Sequence, residues 1–226
     1  MKHILDRPIW SALQTDHAEF AVRLGRAWRY PAAIGPFAAA LDLTKESMDD
    51  LAQMPSADEM IAMFELDDIP IPAGMTSLGY FSLHQLVLSK RLPLIHDPEI
   101  ELLTEADASE MMELAELTKP GPFSLQSQRL GPFWGVKAQG KLVAMAGQRM
   151  RQPGFVELSG VCTHPEFRGR GVASLLSRYV SGKIVSIGRI PYVHVHGTNR
   201  AALAFFGGIG FELRTKLNLR RLTPSQ

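Results

Sequence analysis

Residues 155–173, FVELSGVCTHPEFRGRGVA, decide the reading of this chain. A β-rich run with one acidic side chain, Glu157, ends at the break His164-Pro165, and Arg168-Gly169-Arg170-Gly171-Val172-Ala173 then opens an amphipathic segment. The first N–H groups of a helix lack partners and sit at the positive end of its dipole, so anions settle there. Gly169 and Gly171 let the backbone close around a phosphate in conformations that a Cβ resists. Arg168 and Arg170 add charge-assisted hydrogen bonds. Val172, Leu175, Leu176, Tyr179 and Ile187 follow at helical spacing, which predicts a helix with one buried face.

The pattern Arg/Gln-x-x-Gly-x-Gly/Ala alone would occur by chance in roughly a quarter of chains this long. Its place between a strand and a helix is what gives it weight. The 24 Lys plus Arg against 23 Asp plus Glu leave no broad positive field for nucleic acid or an anionic membrane. The single Cys162 rules out an internal disulfide, and no apolar run reaches about 18 residues. The expectation is a soluble, cytoplasmic protein without membrane or nucleic-acid partners.

From residue 99 onward the punctuation is regular. Residues 100–103 read as a strand, and Thr104 with Asp107 forms a capping-box start for a helix carrying Met111, Leu114, Ala115 and Thr118. Residues 134–137, 142–150 and 155–161 read as an antiparallel meander turned at Gln139-Gly140 and Pro153-Gly154. After the glycine-turn helix come a strand at 191–196, a short helix at 198–206 and a last strand at 211–219. The order is β-α-β-β-β-α-β-α-β.

The segment before residue 95 is less regular. Residues 16–28 place His17, Phe20, Ala21, Leu24, Ala27 and Trp28 on one helical face, and Thr44 caps a second helix to about residue 54. Residues 60–66 and 79–88 read as strands. The expected architecture is α+β with a mixed sheet: a smaller N-terminal α+β lobe over 1–95, joined through 90–98 to a second domain over 98–226.

Over residues 98–221, the element order and the motif together resemble the GNAT superfamily of acyl-CoA-dependent N-acyltransferases. The resemblance implies that the turn wraps the pyrophosphate of coenzyme A. Arg168, Gly171 and Ala173 stand at the defining positions, with Gly169, Arg170, Val172 and Ser174 beside them. It implies that the main chain of Val161, Cys162 and Thr163 holds the pantetheine arm, on a strand that splays from its parallel neighbour. The family's Asn at the next helix start corresponds to Asn199, and its Leu/Ile-Gly-Phe to Ile209-Gly210-Phe211. The implied co-substrate is acetyl-CoA or another acyl-CoA, and the implied partner a small-molecule amine acceptor; a homodimer stays open. The run 158–165 and the extra N-terminal segment are similar to the branch that includes glycine N-acyltransferases, whose first half is a degenerate relative of the second. Residues 1–95 would then be a truncated acyltransferase-like lobe shaping the acceptor pocket.

Acyl transfer from a thioester needs an unprotonated amine and a polarised carbonyl. Glu157 matches the strand carboxylate that serves as general base in histone-type members, acting here through water; an ion-pair partner is the alternative reading. Strand alternation puts Glu157, Ser159, Val161 and Thr163 on one face and Cys162, a small buried hydrophobe, on the other. Where the family often has a Tyr near the sulfur, this chain has Phe206. Tyr192, His194 and His196 alternate onto one strand face, as packed structural groups or as a substitute acid or acceptor contact. The remaining histidines lack ligand-like spacing, so no metal is expected. Trp10, Trp28 and Trp134 read as core, and Met111 and Met112 as packing or as the wall of an adaptable pocket. Two rival functions are a CoA-sensing module without catalysis and aminoacyl transfer from tRNA, which the balanced charge opposes.

Overall fold

The computed structural model describes residues 3–90 and 92–225. The first part folds as α1 (Pro8–Gln14), three short strands β1 (Val22–Leu24), β2 (Ala27–Arg29) and β3 (Ala38–Ala40), α2 (Lys45–Ala52), and the strands β4 (Ile61–Glu65) and β5 (Met75–Leu88). The second part runs β6 (Ile100–Leu103), α3 (Ala108–Thr118), β7 (Phe133–Ala138), β8 (Lys141–Gln152), β9 (Phe155–Thr163), α4 (Val172–Ser186), β10 (Ile190–His196), α5 (Arg200–Ile209) and β11 (Phe211–Pro224). Local chemistry sets these limits. Pro8 opens α1 where its missing N–H costs nothing. The Thr104–Asp107 capping box leads into α3, and left-handed Lys119 ends it. Gly210, at φ 116°, turns α5 into β11.

Eight strands form one sheet in the order β4-β11-β5-β10-β9-β8-β7-β6. Its neighbours are antiparallel except β9 and β10, which run parallel. β5 lies between β10 and β11, so strands from both sides of residues 95–98 share one sheet. Alternation gives the sheet two buried faces. On one, Leu176, Val180 and Ile184 of α4 and Phe206 of α5 pack on Leu158, Val193 and Val195. On the other, Leu5, Ile9, Leu13, Tyr30 and Phe37 pack on Phe64, Leu83 and Tyr192. At about 1.5–3 kcal/mol for each large apolar side chain, these contacts hold the N-terminal segment firmly to the sheet.

Two local expectations are corrected. Residues 16–28 are not a helix; a 3-10 turn (Ala18–Phe20) precedes the hairpin of β1 and β2. Gly25, at φ 52°, makes the turn, and the backbone N–H of Arg26 donates to Asp50 Oδ2 at 2.7 Å, fixing it. The helical spacing of Leu24 was coincidental, since that side chain is exposed. Ile187 is the C-cap of α4, also exposed, and lies outside its buried face.

Candidate active site

β9 and β10 pair only at Ile190–Phe155, Pro191–Val156 and Tyr192–Glu157. Beyond that point β10 continues along β5 while β9 stays with β8, and the two parallel strands part. A bulge sharpens the parting: Met145 faces Cys162 and Gly147 faces Ser159, so β9 carries one residue more than β8. The extra residue rests on Gly160 at φ 62°, where a Cβ would come within 2.6 Å of the Phe133 ring. The bulge overturns the expected alternation. Val161 packs with Val156 and Leu158, opposite Glu157, whereas Cys162 joins Met145 and Phe133 beneath α3. A glycine inside a strand pattern was the available signal.

On one side of the parting is a cavity of about 570 Å³, lined by Val161, Cys162, Thr163, the turn from Phe167 to Ser174, Phe205 and Phe206. Gly169 (φ 77°) and Gly171 (φ 80°) have nothing within 4 Å of where a Cβ would stand, so the turn is an open cradle. Gly171 is the N-cap of α4 and brings no side chain to cap the first amides of that 15-residue helix. Arg168 lines the cavity and is steadied by Nε donating to the Thr163 carbonyl at 3.3 Å. Arg170 turns away: Nη2 donates to the Glu166 carbonyl at 3.1 Å and the guanidinium stacks 4.8 Å from the centre of the Phe167 ring. Open glycines, free helix amides and a cation suit a diphosphate. Burial pushes the Cys162 thiol up to about 11, as expected of an inert small hydrophobe.

The second cavity, of about 770 Å³, opens on the other side and shares Val161, Phe206 and Thr118 with the first. Its walls draw on Phe64, Phe81, Arg149, His196, Leu219 and Arg221, from five strands. Asn199 stands at this cavity, with Oδ1 accepting from Ala202 N at 3.0 Å as the cap of α5. Phe206 brings no phenol to the junction. Met111 and Met112 line neither cavity, and Met111 is core beneath α3.

Glu157 is 1% exposed and does not line either cavity. Its Oε1 accepts from Arg149 Nη2 (2.7 Å) and from His194 Nδ1 (2.7 Å). Its Oε2 accepts from Arg149 Nε (2.8 Å) and the Met150 amide (3.3 Å). Burial raises the carboxyl's pKa, but the Arg149 charge and the His194 imidazole outweigh it and hold Glu157 well below the carboxylate range. The cluster extends outward. Arg214 Nε donates to Gln85 Oε1 (2.5 Å), which leaves the Gln85 amide nitrogen for the Leu5 carbonyl (2.9 Å) and His194 Nε2 (3.0 Å). His194 Nε2 must then accept, and its proton sits on Nδ1, facing Glu157. Both ring nitrogens are engaged. Tyr192 is fully buried against Gln152, and burial raises its phenol well above the ordinary range. His194 and His196 both stand at the second cavity, but the His194 side chain is only 2% exposed and the His196 ring is the less engaged: its Nδ1 meets Thr198 Oγ1 at 2.8 Å, and the ring lies 5.0 Å from Phe81. Arg149, Arg221 and Phe81 went unnoticed in the sequence because each comes from a separate strand without a local motif.

The FR47-like protein family matches residues 134–220, which hold the parting strands and the glycine turn. A Novosphingobium aromaticivorans protein assigned to the GNAT family of acetyltransferases is 36% identical, with 100% of each chain covered and a TM-score of 0.93. This chain belongs to the GNAT family. A GCN5-related N-acetyltransferase from Kribbella flavida shares the fold at 14% identity, with 96% of this chain and 94% of that chain covered and a TM-score of 0.62. So does a GCN5-related N-acetyltransferase-like protein from Streptococcus suis, at 12% identity, 95% and 92% coverage and a TM-score of 0.61. No curated protein matches the chain. Among the described residues, no helix is long and apolar enough to cross a membrane, and no group of His, Cys, Asp or Glu could hold a metal ion.

Proposed function

We propose that this protein moves an acetyl group from acetyl-CoA directly to the amine of a small acceptor, both substrates being bound together. The observation that carries this reading is the meeting of two separate cavities at Val161 and Phe206, where β9 and β10 part. A thioester laid along Val161, Cys162 and Thr163, with its diphosphate in the 168–174 turn, would bring its carbonyl to that junction. An amine in the second cavity would reach it from the opposite side. Unpaired β9 backbone near Val161 would polarise the carbonyl. The amine nitrogen bonds to the carbonyl carbon, the carbon–sulfur bond breaks, the thiolate leaves and the amine gives up a proton.

The geometry favours His196 over Glu157 as the group that takes that proton. All of Glu157's acceptor positions are filled from within the protein, so neither an amine nor a relaying water finds one open. His196 lines the acceptor cavity, and in the tautomer that donates Nδ1–H to Thr198 Oγ1 the Nε2 lone pair is the basic site. Glu157 is then a positioning residue for Arg149 and His194. With Phe206 at the sulfur, the thiol leaves as thiolate, which a pKa near 8.5 permits. His196→Ala should lower kcat about 100-fold or more and leave acetyl-CoA affinity unchanged, read by thiol release and calorimetry. Unchanged kcat would remove His196 from the chemistry. Tight acetyl-CoA binding with no thiol release over a broad amine panel would instead favour a CoA-sensing role, which the absent phenol at Phe206 suggests.

A further inference from the structure

The walls of the second cavity carry Lys119, Arg149 and Arg221 and no aspartate or glutamate. Among the described residues, only Arg149 of these three has a carboxylate partner, Glu157. Lys119 is exposed at the end of α3, in the left-handed conformation that closes that helix, and forms no ion pair among the described residues. Arg221 is the more telling group. Its guanidinium carbon stands 4.9 Å from the centre of the Phe81 ring, and its Nε is buried without a hydrogen-bond partner among the described residues. Phe81 also meets the His196 ring at 5.0 Å, so one aromatic side chain sets a cation beside the proposed proton acceptor.

A buried guanidinium nitrogen without an acceptor costs free energy, so the Arg221 cation lacks internal compensation, and an anion that meets the rest of its guanidinium from the cavity supplies the missing countercharge. Charges facing a partly enclosed cavity interact more strongly than in water, because less solvent screens them. An acceptor with further ammonium groups would meet only like charge there. Resting on the transferase reading above, we infer that the acceptor is an amine bearing an anionic group, a carboxylate or a phosphate, which Arg221 anchors with Lys119 in support. Arg149, already paired, adds its remaining N–H groups at the cavity wall. Stacking on Phe81 restricts the Arg221 fork before the ligand arrives, which lowers the ordering cost of binding. Polyamines and simple alkylamines are poor acceptors on this account.

The test uses the full chain saturated with CoA, titrated in a calorimeter with glutamate, O-phosphoethanolamine, propylamine and spermidine. Thiol release from acetyl-CoA is measured with the same four amines. Glutamate or O-phosphoethanolamine should bind and react with the highest kcat/KM, and whichever of the two leads identifies the anion. Arg221→Gln should raise the KM for that amine roughly 10- to 100-fold, with a smaller rise for Lys119→Gln, and leave acetyl-CoA affinity untouched. Spermidine or propylamine binding as tightly as the anionic amines, no anionic amine binding at all, or an unaltered KM in both variants would overturn the inference. Failure of acetyl-CoA itself to bind would instead overturn the transferase reading, so the two failures are distinct.

Discussion

The two cavities that meet at Val161 and Phe206 are built from different material. The 570 Å³ cavity draws most of its walls from one continuous stretch, residues 161–174, and its working groups are backbone amides and two glycines. The 770 Å³ cavity is assembled from side chains of distant strands held by a buried polar cluster around Glu157. A site made of contiguous backbone is insensitive to most of the chain, whereas one made of distant side chains depends on the whole sheet. Damage to the first should therefore erase cofactor binding and spare the fold. Damage to the buried cluster that supports the second should cost the fold before it costs chemistry.

The largest effect is expected at the centre of the second cavity's support. Glu157→Gln keeps the volume but leaves Arg149 buried without its countercharge and sets an amide N–H toward guanidinium donors, so stability should fall by about 3–5 kcal/mol. Urea unfolding measures it. A variant of unchanged stability with kcat abolished would show that Glu157 acts as the base after all. The mirror experiment strikes the first cavity. Gly171→Val forces a β-branched residue to φ 80° and fills the open cradle, so acetyl-CoA affinity should drop about 100-fold or more, while the strain costs about 1–3 kcal/mol, less than Glu157→Gln. A midpoint shift as large as that of Glu157→Gln would break the contrast between the cavities.

The same contrast explains what was legible in the sequence. The strand, glycine turn and helix at 155–186 declared themselves because phosphate-cradle geometry needs Gly169 and Gly171 within a few residues of each other. The element order after residue 99 was readable for a similar reason, each turn being marked by glycine or proline. The hairpin of β1 and β2 was not, since Gly25 and a contact to Asp50 overrode a helical spacing of apolar residues. Nor was the buried setting of Glu157. Its surroundings come from Arg149 on β8, His194 on β10 and, one step further, Gln85 on β5, and register across three strand pairs cannot be read from any one of them. The bulge at Gly160 reversed the faces of Val161 and Cys162, a one-residue effect that strict alternation misses.

His17 tests how the N-terminal segment is fastened over the second cavity's side of the sheet. Its ring nitrogens meet Tyr30 Oη (2.9 Å) and the Leu130 carbonyl (3.1 Å), tying that segment to the chain just before β7. Burial dominates and lowers the imidazole to about 4. An unfolded His titrates near 6.5, so below that pH the unfolded chain takes up a proton that the folded chain refuses until about pH 4. The stability at stake is complete above pH 6.5 and is lost as pH falls from 6.5 toward 4, amounting to about 2 kcal/mol by pH 5. Urea midpoints at about pH 7.5 and 5 should show this loss in the wild type and a flatter dependence in His17→Gln. Identical slopes would mean that His17 does not govern the docking of the segment.

The smallest effect belongs to the junction itself. Phe206 is 6% exposed, packed edge-to-face against Phe205 and Phe211 and lining both cavities. Phe206→Tyr adds one hydroxyl where a departing thiolate would pass. If the thiolate leaves unaided, the gain in kcat should stay below about threefold, because a thiol of pKa near 8.5 needs little acid assistance at neutral pH. Acetyl-CoA affinity should also hold, since the first cavity depends on backbone rather than on this ring. An increase of tenfold or more would show that protonation of the sulfur limits the natural enzyme, and the two cavities would then be joined by a catalytic deficit rather than by a simple apolar wall.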